Sequence, residues 1–482
     1  MPHRWIQPAV QPPRPFDPVV TFRNSQGETA RGTLTSLQRR ALVMEIYNPY
    51  SIIQVSEVLN DLVIRSGDRA IYQGNAVVVS LLNTGLMALV SVALIDEWSE
   101  LRAVGSDLGS IRTEAQNFVD DWHARFKVER GYMVAVAEIR TFLAELSRWT
   151  DQADLSGSLP RQEDGRLRGD VFAELSTPVI QTAANYFATF EQEIARVSEA
   201  GVEPAKGFAQ TSLHPLVLRA PFVYRTFAKP LGYAGDYEMV NQILGDPQQG
   251  PTTYFQIVNT LFLASPVAQA HRNRIDILVN FLTQAIDQSK AEARVFRVLD
   301  IGCGPAMEIK RLLESEAQAE RLSFTLMDFS EETLAYTEAN LTQSNASRSH
   351  PSAFQFVNDS VHNLLKRAVR NEVIPAEEQF DYVYCAGLFD YLSDKVASRL
   401  LEYLRARTRP GGRILVTNVH PCNRQRGVME HVLEWHLIYR DEEQLRDVLP
   451  RAREAERLYC DATGVNVFAE FTVPLVGGQG PQ

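Results

Sequence analysis

A glycine-rich stretch at residues 296–306, FRVLDIGCGPA, holds the residue types best suited to bind a charged ligand. Its apolar start predicts a buried strand that ends at Asp300, and a helix-compatible segment follows at 307–313. Gly302 and Gly304 let the backbone turn sharply and leave no side chain between it and a ligand. The stretch therefore predicts a strand–turn–helix unit whose carboxylate faces a cationic group of the ligand.

The spacing of the glycines narrows the ligand. A dinucleotide fingerprint, G-x-G-x-x-G, needs a third glycine at position 307, where the chain has Met307. S-adenosylmethionine (SAM) has no pyrophosphate, and its amino acid part carries an ammonium group that Asp300 can neutralise directly or through water. The motif thus predicts SAM as the cofactor; an ordinary glycine-rich turn between a strand and a helix is the alternative.

Further predicted strands end in polar residues that suit the rest of this cofactor. Segment 322–328 ends in Asp328, where an acid can accept hydrogen bonds from both ribose hydroxyls. Segment 354–359 ends in Asp359, where an adenine amino group could bind, and a solvated carboxylate is the alternative for each acid. The predicted cofactor-binding residues in this region are Asp300, Gly302, Cys303, Gly304, Asp328, Phe329, Asp359, Ser360, Ala386 and Gly387.

A strand at 380–385, a helix at about 394–407, the turn Pro410-Gly411-Gly412 and a strand at 413–417 continue the alternation. Together with the strand-end acids, this order resembles class I SAM-dependent methyltransferases over residues 270–475. The resemblance implies a Rossmann-like α/β methyltransferase domain at 270–482.

Composition sets the broad class of the protein. A chain of 482 residues is expected to form about two to four domains. Its net charge of −11 argues against nucleic acid as the main partner, because phosphate binding needs a basic surface. Cys303, Cys385, Cys422 and Cys460 form no C-x-x-C pair, so no metal site and no disulfide framework is expected, and a reduced, cytoplasmic compartment fits.

The N-terminal part predicts a small β-domain. Residues 1–18 contain six prolines and lack the apolar core of a signal peptide, so they predict an extended arm. Residues 19–98 predict a β-barrel or sandwich with short strands at 19–23, 30–36, 41–47, 51–57, 60–64 and 69–72. Residues 77–95 approach the length of a membrane span, but Asn83-Thr84-Gly85 in their middle favours a hairpin and no stable membrane insertion.

This β-domain distantly resembles the PilZ-like barrels of bacterial cyclic-dinucleotide signalling. Those barrels bind their ligand with an R-x-x-x-R arm and a D/N-x-S-x-x-G turn. Here the arginines are adjacent, Arg39-Arg40, and Ser80 precedes Asn83-Thr84-Gly85 in the wrong order. The resemblance therefore implies a degenerate barrel, and cyclic dinucleotide binding is not expected.

In residues 99–215 the spacing of apolar residues becomes that of an α-helix. Apolar residues recur in steps of three and four at Leu101, Val104, Leu108, Ile111, Ala115, Phe118 and Trp122. They predict the core of a helical bundle, with the seam of a homodimer as the alternative. A second helical region should run to Trp149, a mobile loop should occupy 151–170, and a helix should begin at Pro178 and continue to 197.

Residues 216–269 are predicted to connect this helical region to the methyltransferase domain. Within them, the segment RAPFVYRTFAKPLGYAGDYEMVN at 219–241 combines glycines, aromatic residues and opposite charges. It predicts either a connector locked by an Arg–Asp pair or a lid over the cofactor. In the lid hypothesis Tyr224 and Arg225 join the cofactor-binding residues, and Tyr233 joins the catalytic ones.

The segment KPLGYAGDYEMVN, followed by VLDIGCGPA, resembles a more specific group. From about residue 165 to the C-terminus the chain is similar to bacterial proteins of 3-hydroxypalmitic acid methyl ester biosynthesis, which make a quorum-sensing signal. The resemblance implies methylation of the carboxyl group of a 3-hydroxy fatty acid or a similar small acid.

The acceptor chemistry agrees with that expectation. A carboxylate is already ionised and needs no general base, only desolvation and alignment within an apolar wall with a few donors. Residues after the fourth and fifth strands could supply them, with 431–440 as a helix: Phe389, Tyr391, His420, Trp435, His436, Tyr439 and Arg440. The predicted catalytic set is Tyr233, His420, Trp435, Tyr439 and Arg440.

Two other functions stay open from the sequence. A hydroxyl or amine acceptor would make the protein an O- or N-methyltransferase of another metabolite, with His420 or His436 as base. A SAM-binding signalling protein with a regulatory barrel is the other alternative.

Overall fold

The computed structural model describes residues 19–25, 27, 29–46, 53–66, 69–83, 88–96, 108–125, 128–315, 318–368 and 374–475. The chain divides into two compact units, Met1–Ala137 with Arg196–His214, and Glu138–Ala195 with Pro215–Gln482. The predicted fold class is confirmed, with an N-terminal barrel, a helical middle and a C-terminal α/β sheet. The predicted proline-rich arm at 1–18 lies outside the described residues.

Six antiparallel strands close the barrel in the order β1-β2-β3-β6-β5-β4. Their side chains alternate between the barrel interior and its surface, so that Leu42 and Met44 of β3 meet Val90 and Val92 of β6 in one buried cluster. The strands are β1 Val19–Arg23, β2 Thr29–Gln38, β3 Ala41–Ile46, β4 Val58–Ser66, β5 Arg69–Asn83 and β6 Ala88–Leu94.

One strand prediction in the barrel is wrong. Residues 53–57 form a turn and no strand, since Ser56 has a φ of 70° and the Glu57 carboxylate accepts hydrogen bonds from the backbone of Ser25 and Gln54 at 2.7 Å each. The predicted strand at 69–72 also continues into the next one as the 15-residue β5.

The predicted hairpin at 77–95 is confirmed by the antiparallel pairing of β5 with β6, in which Val77 faces Ala93. Its turn at 84–87 lies outside the described residues. Among the helices that the structure describes, none has the length and apolar character to cross a membrane.

The side chains that the structure describes in the helical stripe of residues 101–122 are exposed and form no bundle core. In α1, Leu108 is 86% exposed and Phe118 is 67% exposed. Leu101, Val104 and the side chain of Trp122 lie outside what the structure describes. The helices before the sheet are α1 Leu108–Arg125, α2 Arg130–Ser156, α3 Gly169–Ile194, α4 Val202–Val217, α5 Pro221–Ala228, α6 Tyr237–Leu244, α7 Thr253–Leu263 and α8 Pro266–Ala291.

Two boundaries among these helices differ from prediction. Helix α2 continues to Ser156, which shortens the predicted loop, and Arg166 ties that loop to Asp246 by an ion pair at 2.6 Å. Helix α3 begins nine residues before Pro178, which lies inside it. The proline lacks the N–H that would bond the carbonyl of Glu174, yet the helix runs through it.

A seven-stranded sheet in the order β12-β13-β11-β10-β7-β8-β9 forms the centre of the second unit. Strands β7 to β11 run parallel, and β13 is antiparallel to β11 and β12. Its elements are β7 Phe296–Ile301, α9 Met307–Glu314, β8 Leu322–Asp328, α10 Glu331–Ala346, β9 Ala353–Asn358, α11 Val361–Ala368, β10 Phe380–Cys385, α12 Asp394–Arg407, β11 Thr408–Val419, α13 Arg426–His431, α14 Glu442–Val448, β12 Glu454–Cys460 and β13 Asn466–Thr472.

Helices cover both faces of this sheet, as a mostly parallel sheet requires. One buried cluster joins α8 and α9 to one face, and a second joins α11, α12 and α14 to the other. The strands predicted at 322–328 and 380–385 are confirmed to the residue, and the predicted turn at 410–412 lies within β11, where the pairing with β10 shifts register.

The order of the strands fixes where a ligand can bind. From β7 the chain continues outward to β8 and β9, whereas β10 and β11 lie on the other side of β7. The strands that follow β7 therefore extend the sheet in opposite directions from the boundary between β7 and β10. This reversal leaves a crevice beyond the carboxyl ends of these two strands.

Candidate active site

A cavity of about 310 Å³ opens at this crevice. Residues from the ends of β7, β8 and β10 form one half of its wall, and residues of α6, α8 and the segment after α13 form the other. Of the sequence-predicted residues, the cavity is lined by Tyr233, Asp300, Gly302, Cys303, Gly304, Asp328, Phe329, Asp359, Ala386, Gly387, Tyr391 and Trp435.

The glycine turn leaves room for a ligand. Gly302 and Gly304 adopt φ angles of 72° and 52°, in the left-handed region that favours glycine. The backbone N–H groups of Gly302 and Cys303 both donate to the carbonyl of Met327, at 2.8 and 3.1 Å. A Cβ placed on Gly304 would have no atom within 4 Å, so the space beside it is open.

Asp300 lies at the bottom of this turn and is 2% exposed. Its Oδ2 atom has no hydrogen-bond partner among the described residues, which is costly for a buried carboxyl. Burial, together with the neighbouring Glu308 carboxyl, raises the pKa of Asp300 well above its ordinary value. A cationic group beside Asp300 would remove both penalties, and the ammonium group of SAM is such a cation.

Two backbone N–H groups hold the Asp328 carboxylate in a position where it can contact the ribose of the cofactor. Its Oδ1 accepts the N–H of Ser330 at 3.0 Å, and its Oδ2 accepts the N–H of Gly304 at 3.2 Å. Burial raises its pKa. Because each oxygen of an ionised carboxylate can accept more than one hydrogen bond, Asp328 keeps acceptor capacity for ribose hydroxyls.

The outer rim of the cavity is aromatic. Phe329, which follows Asp328, is 53% exposed, and the Tyr233 ring lies 5.2 Å from its ring. Asp359 lines the wall after β9, and its Oδ1 accepts the N–H of Ser360 at 2.8 Å. Ser360 itself does not line the cavity.

The segment predicted as a connector or a lid has features of both. Arg225 on α5 pairs with Asp236 at 2.8 Å, and Asp236 caps α6 by accepting the N–H of Met239. Arg225 and Tyr224 do not line the cavity. Tyr233 and Gly235 between the two helices do line it, so only the loop between α5 and α6 reaches the ligand space.

Three of the predicted catalytic residues lie outside the cavity. Arg440 is 1% exposed, and its guanidinium donates to Asp394, Asn418 and the carbonyls of Phe389 and Leu392. These bonds make Arg440 a structural residue.

The other two make contacts away from the cavity. The His420 ring lies 3.3 Å from the Glu442 carboxylate, and the Arg426 guanidinium lies over the Tyr439 ring at 4.4 Å. His436, the alternative base, is exposed and also lies outside the cavity wall.

The predicted helix at 431–440 is also wrong. Helix α13 ends at His431, and Glu434 has a left-handed φ of 53°. The backbone then pairs with other loops, since Ile438 donates its N–H to the carbonyl of Asp390 at 2.7 Å. Trp435 and Tyr439 therefore do not share a helical face, and only Trp435 reaches the cavity.

Helix α8 supplies cavity residues that the sequence reasoning missed. His271, Arg274, Ile275 and Leu278 follow the helical spacing and line one side of the cavity. Arg274 is 7% exposed, and its guanidinium makes no hydrogen bond within the described part of the chain. The signal was a charged residue on the otherwise apolar stripe of a helix.

Buried acids surround this guanidinium. Asp390 also lines the cavity, and burial raises its pKa to about 7, while the Val419 N–H donates to its Oδ1 at 2.7 Å. Glu308 lines the cavity as well, and its Oε1 accepts the Tyr384 hydroxyl at 2.8 Å. Burial lowers the pKa of Arg274.

His271 cannot serve as a base here at neutral pH. Its Nδ1 lies 2.9 Å from the carbonyl of Val267, which makes Nδ1 the protonated nitrogen. Burial, aided by the charge of Arg274, lowers the pKa of His271 to about 3. The ring is therefore neutral and only weakly basic.

The comparisons with known proteins support a domain assignment. Residues 299–414 match a family model described as a methyltransferase domain. No curated protein matches the chain significantly.

Several solved structures are similar to parts of the chain. A possible exported protein from Bordetella parapertussis is 15% identical, with 70% of this chain and 97% of that chain covered and a TM-score of 0.38. Magnesium protoporphyrin IX methyltransferase from Synechocystis PCC 6803 with bound SAH is 14% identical, with coverages of 52% and 98% and a TM-score of 0.35. An N-methyltransferase from Bradyrhizobium japonicum WM9 is 15% identical, with coverages of 40% and 87% and a TM-score of 0.27. At such low TM-scores no functional inference rests on these likenesses.

The matched segment contains Asp300, Gly304, Asp328 and Asp359. These residues line the side of the cavity formed by the ends of β7, β8 and β9, where the cofactor is predicted to bind. The open space at the glycine turn and the unsatisfied carboxyl of Asp300 fit the ammonium end of SAM. Residues 299–414 thus match a methyltransferase domain, and the cavity that they line fits S-adenosylmethionine as its cofactor.

Proposed function

We propose that the protein is a carboxyl O-methyltransferase that converts a 3-hydroxy fatty acid, or a similar small acid, to its methyl ester. The observation that carries this proposal is Arg274, a buried guanidinium that faces the cavity and donates no hydrogen bond to the described residues. A guanidinium binds a carboxylate through two parallel hydrogen bonds. The resemblance of residues 165 onward to fatty acid methyl ester synthesis proteins supports the same acceptor.

The residues present are suited to an acceptor that needs no base. SAM supplies the electrophilic methyl group when it is bound. Arg274 would hold the acceptor carboxylate and fix which oxygen faces that methyl group. Trp435 and Tyr391, joined by a 3.0 Å hydrogen bond from the indole N–H, form an aromatic wall that excludes water. Alignment and desolvation of an ionised carboxylate are then sufficient for the transfer.

A direct assay tests this proposal. Purified protein is incubated with methyl-labelled SAM and 3-hydroxypalmitic acid, and the methyl ester is measured by mass spectrometry. In Arg274→Met the KM for the acid should rise about 10- to 100-fold, because a hydrogen bond to a charged group contributes about 1.5–3 kcal/mol. Lys290→Gln, an exposed change on the same helix, is the matched control.

The KM for SAM separates two roles of Arg274. If the acid loses affinity in Arg274→Met while SAM does not, Arg274 binds the acceptor. A rise confined to the KM of SAM would assign Arg274 to the cofactor's own carboxylate and would remove the main support for the proposal.

Asp390 favours a second candidate, an O- or N-methyltransferase of another metabolite. Its pKa of about 7 is suited to a general base near neutral pH. With a hydroxyl or amine acceptor, kcat/KM should rise as the pH passes 7, and Asp390→Asn should abolish that rise. With a carboxylate acceptor, ionisation of Asp390 is not needed for attack, so the pH profile of methyl transfer distinguishes the two functions.

We also propose the finer assignments that accompany this activity. The enzyme would act in a bacterial cytoplasm in the synthesis of a quorum-sensing signal, and its barrel would be a degenerate PilZ-like domain. Domain boundaries at 19–98, 99–215, 216–269 and 270–482 and a homodimer through α1 belong to the same proposal. Support comes from the sequence resemblances, the closed six-stranded barrel and the exposed apolar stripe of α1.

A further inference from the structure

A second cavity of about 380 Å³ lies next to the first one within the same compact unit. It is a partly open cavity lined by α3, α7, the end of α6, the start of α8 and α13. Its apolar wall includes Ile180, Phe187, Phe262, Met429 and Leu433. Val267 and Trp435 line both cavities, so these two side chains lie between the two spaces.

The few polar groups of the second cavity are not arranged to bind a polar ligand. One of them, Glu191, directs both carboxylate oxygens to backbone, because it accepts the N–H of Gly427 at 2.9 Å and of Val428 at 2.7 Å. Gln181 and Arg424 are exposed. The wall that remains is mainly hydrocarbon, which favours an alkyl group as its occupant.

Helix α8 connects the two cavities. Val267 and Ala268 face the second cavity, and Arg274 faces the first. Arg274 follows Ala268 by six positions on this α-helix, a rise of about 9 Å. A chain of several methylene groups, extended from a carboxylate at Arg274, can cover this distance and enter the second cavity past Trp435.

We propose that the second cavity binds the distal alkyl chain of the acceptor and sets the chain length that the enzyme prefers. The carboxylate end of this inference rests on the proposed function, whereas the apolar cavity itself does not. Val267 and Trp435 form the passage, and the residues of α3 that face the cavity determine how much chain it accepts.

A series of unbranched acids tests the dependence on length. Burial of one methylene group should tighten binding about fourfold. With SAM saturating, kcat/KM should therefore increase by about this factor for each added carbon once the chain passes Trp435, and it should level off when the cavity is filled. A kcat/KM that is independent of length from hexanoic to palmitic acid would overturn the proposal.

A filled cavity should shorten the preferred chain. Ala188 on α3 is exposed and lines the second cavity, so Ala188→Trp adds a large side chain at its wall without disturbing a buried contact. Its kcat/KM for palmitic acid should fall at least tenfold, while that for hexanoic acid should stay within about twofold. Thr189→Trp, one residue along and outside the cavity, is the matched control.

A binding experiment separates this inference from the proposed function. The probe is cis-parinaric acid, a fluorescent long-chain acid, titrated into the full-length protein without SAM. Binding to wild type and Thr189→Trp with at least tenfold weaker binding to Ala188→Trp supports the cavity even if no ester is formed, and the failure would then lie with the proposed function. Equal binding to all three proteins, or to none, overturns the inference, whatever acids are methylated.

Discussion

Asp300 illustrates how a single buried residue prepares the site for a charged ligand. Its carboxyl is 2% exposed, one oxygen is without a partner among the described atoms, and Glu308 lies close enough to repel its charge. Both effects shift the ligand-free carboxyl toward its neutral, protonated form. Arrival of an ammonium group reverses this balance, because the charged carboxylate then has a counter-ion.

This reversal predicts proton release on cofactor binding. The pKa of Asp300 is raised in the free site, and the cation of SAM should lower it, so SAM binding should release a proton at pH values between the two pKa values. Calorimetric titrations of SAM in buffers with different ionisation enthalpies should give apparent binding enthalpies that differ accordingly. Asp300→Asn should bind SAM more weakly and remove the buffer dependence. An unchanged buffer dependence in that variant would show that another group releases the proton.

Glu191 gives a prediction about stability and pH. Burial raises its pKa to about 7, above the value of 4.5 that it has when exposed. Its contribution is fully present below pH 4.5 and is lost as the pH rises through 7, with a magnitude on the order of 2–3 kcal/mol. In Glu191→Gln, the loss of stability between pH 5 and pH 9, measured from urea unfolding, should shrink by about this amount.

The exposed Glu174→Gln on the same helix serves as the control, and it should keep the full pH dependence of wild type. The same dependence in Glu191→Gln would mean that Glu191 is ionised in the folded protein. Asp390, with its own raised pKa, adds a loss of the same sign in both variants.

At the scale of elements, the sequence predicted the strands of the sheet better than the helices around it. The run from Leu322 to Asp328 ends where an acid and a helix cap follow, so its limits are marked locally. For α3, Pro178 led to a wrong prediction of where the helix begins. A proline is favoured at the first turn of a helix, but it is also tolerated inside a long one.

The residues that α8 contributes to the cavity, where the methyl acceptor is proposed to bind, could not be predicted in the same way. Arg274 lies on a helix that precedes the sheet in the chain, and only the folded unit brings it to the carboxyl end of β10, where its Nη1 would lie 2.9 Å from a Cβ on Gly387. Arg440 carries the same charge and lies in the expected region, but it is satisfied by acceptors that are distant in sequence. Residue type and position alone do not separate these two arginines.

The loop between α5 and α6 remains a predicted lid. Gly232 has a φ of 87°, and Tyr233 reaches across to Phe329. Ordering such a loop costs about 1–2 kcal/mol per residue, which contacts with the ligand must offset. Hydrogen exchange in residues 229–236 should therefore slow when SAM or its demethylated product is added.

Two variants distinguish a lid from a connector. Tyr233→Ala should reduce methyl transfer more than thermal stability, whereas Asp236→Ala should destabilise the fold, because it removes the cap of α6 and the ion pair with Arg225. Full protection of the loop without ligand, with activity and stability lost in parallel in Tyr233→Ala, would make the whole segment a structural connector.

At the scale of the whole molecule, the exposed stripe of α1 predicts self-association. Leu108, Ile111 and Phe118 follow a spacing of three and seven residues and are all exposed in the described structure. A second copy of the same helix would cover this stripe in the manner of a coiled coil. Light scattering coupled to size exclusion should then give the mass of a dimer.

Phe118→Lys should shift the protein to the monomer, since it introduces a charge into the seam. Asn117→Lys, its exposed neighbour, adds the same charge beside the stripe and should leave the dimer intact. A monomeric wild type at micromolar concentration would exclude the seam.

The buried Arg440 network has a consequence for how such an enzyme can diverge. Its bonds to Asn418, Asp394 and the carbonyls of Phe389 and Leu392 anchor the chain on either side of the segment that carries Trp435. The glycine turn and Asp328 belong to other elements. Natural selection could therefore exchange the side chains around Trp435 and alter the accepted molecule while inheriting the cofactor contacts unchanged.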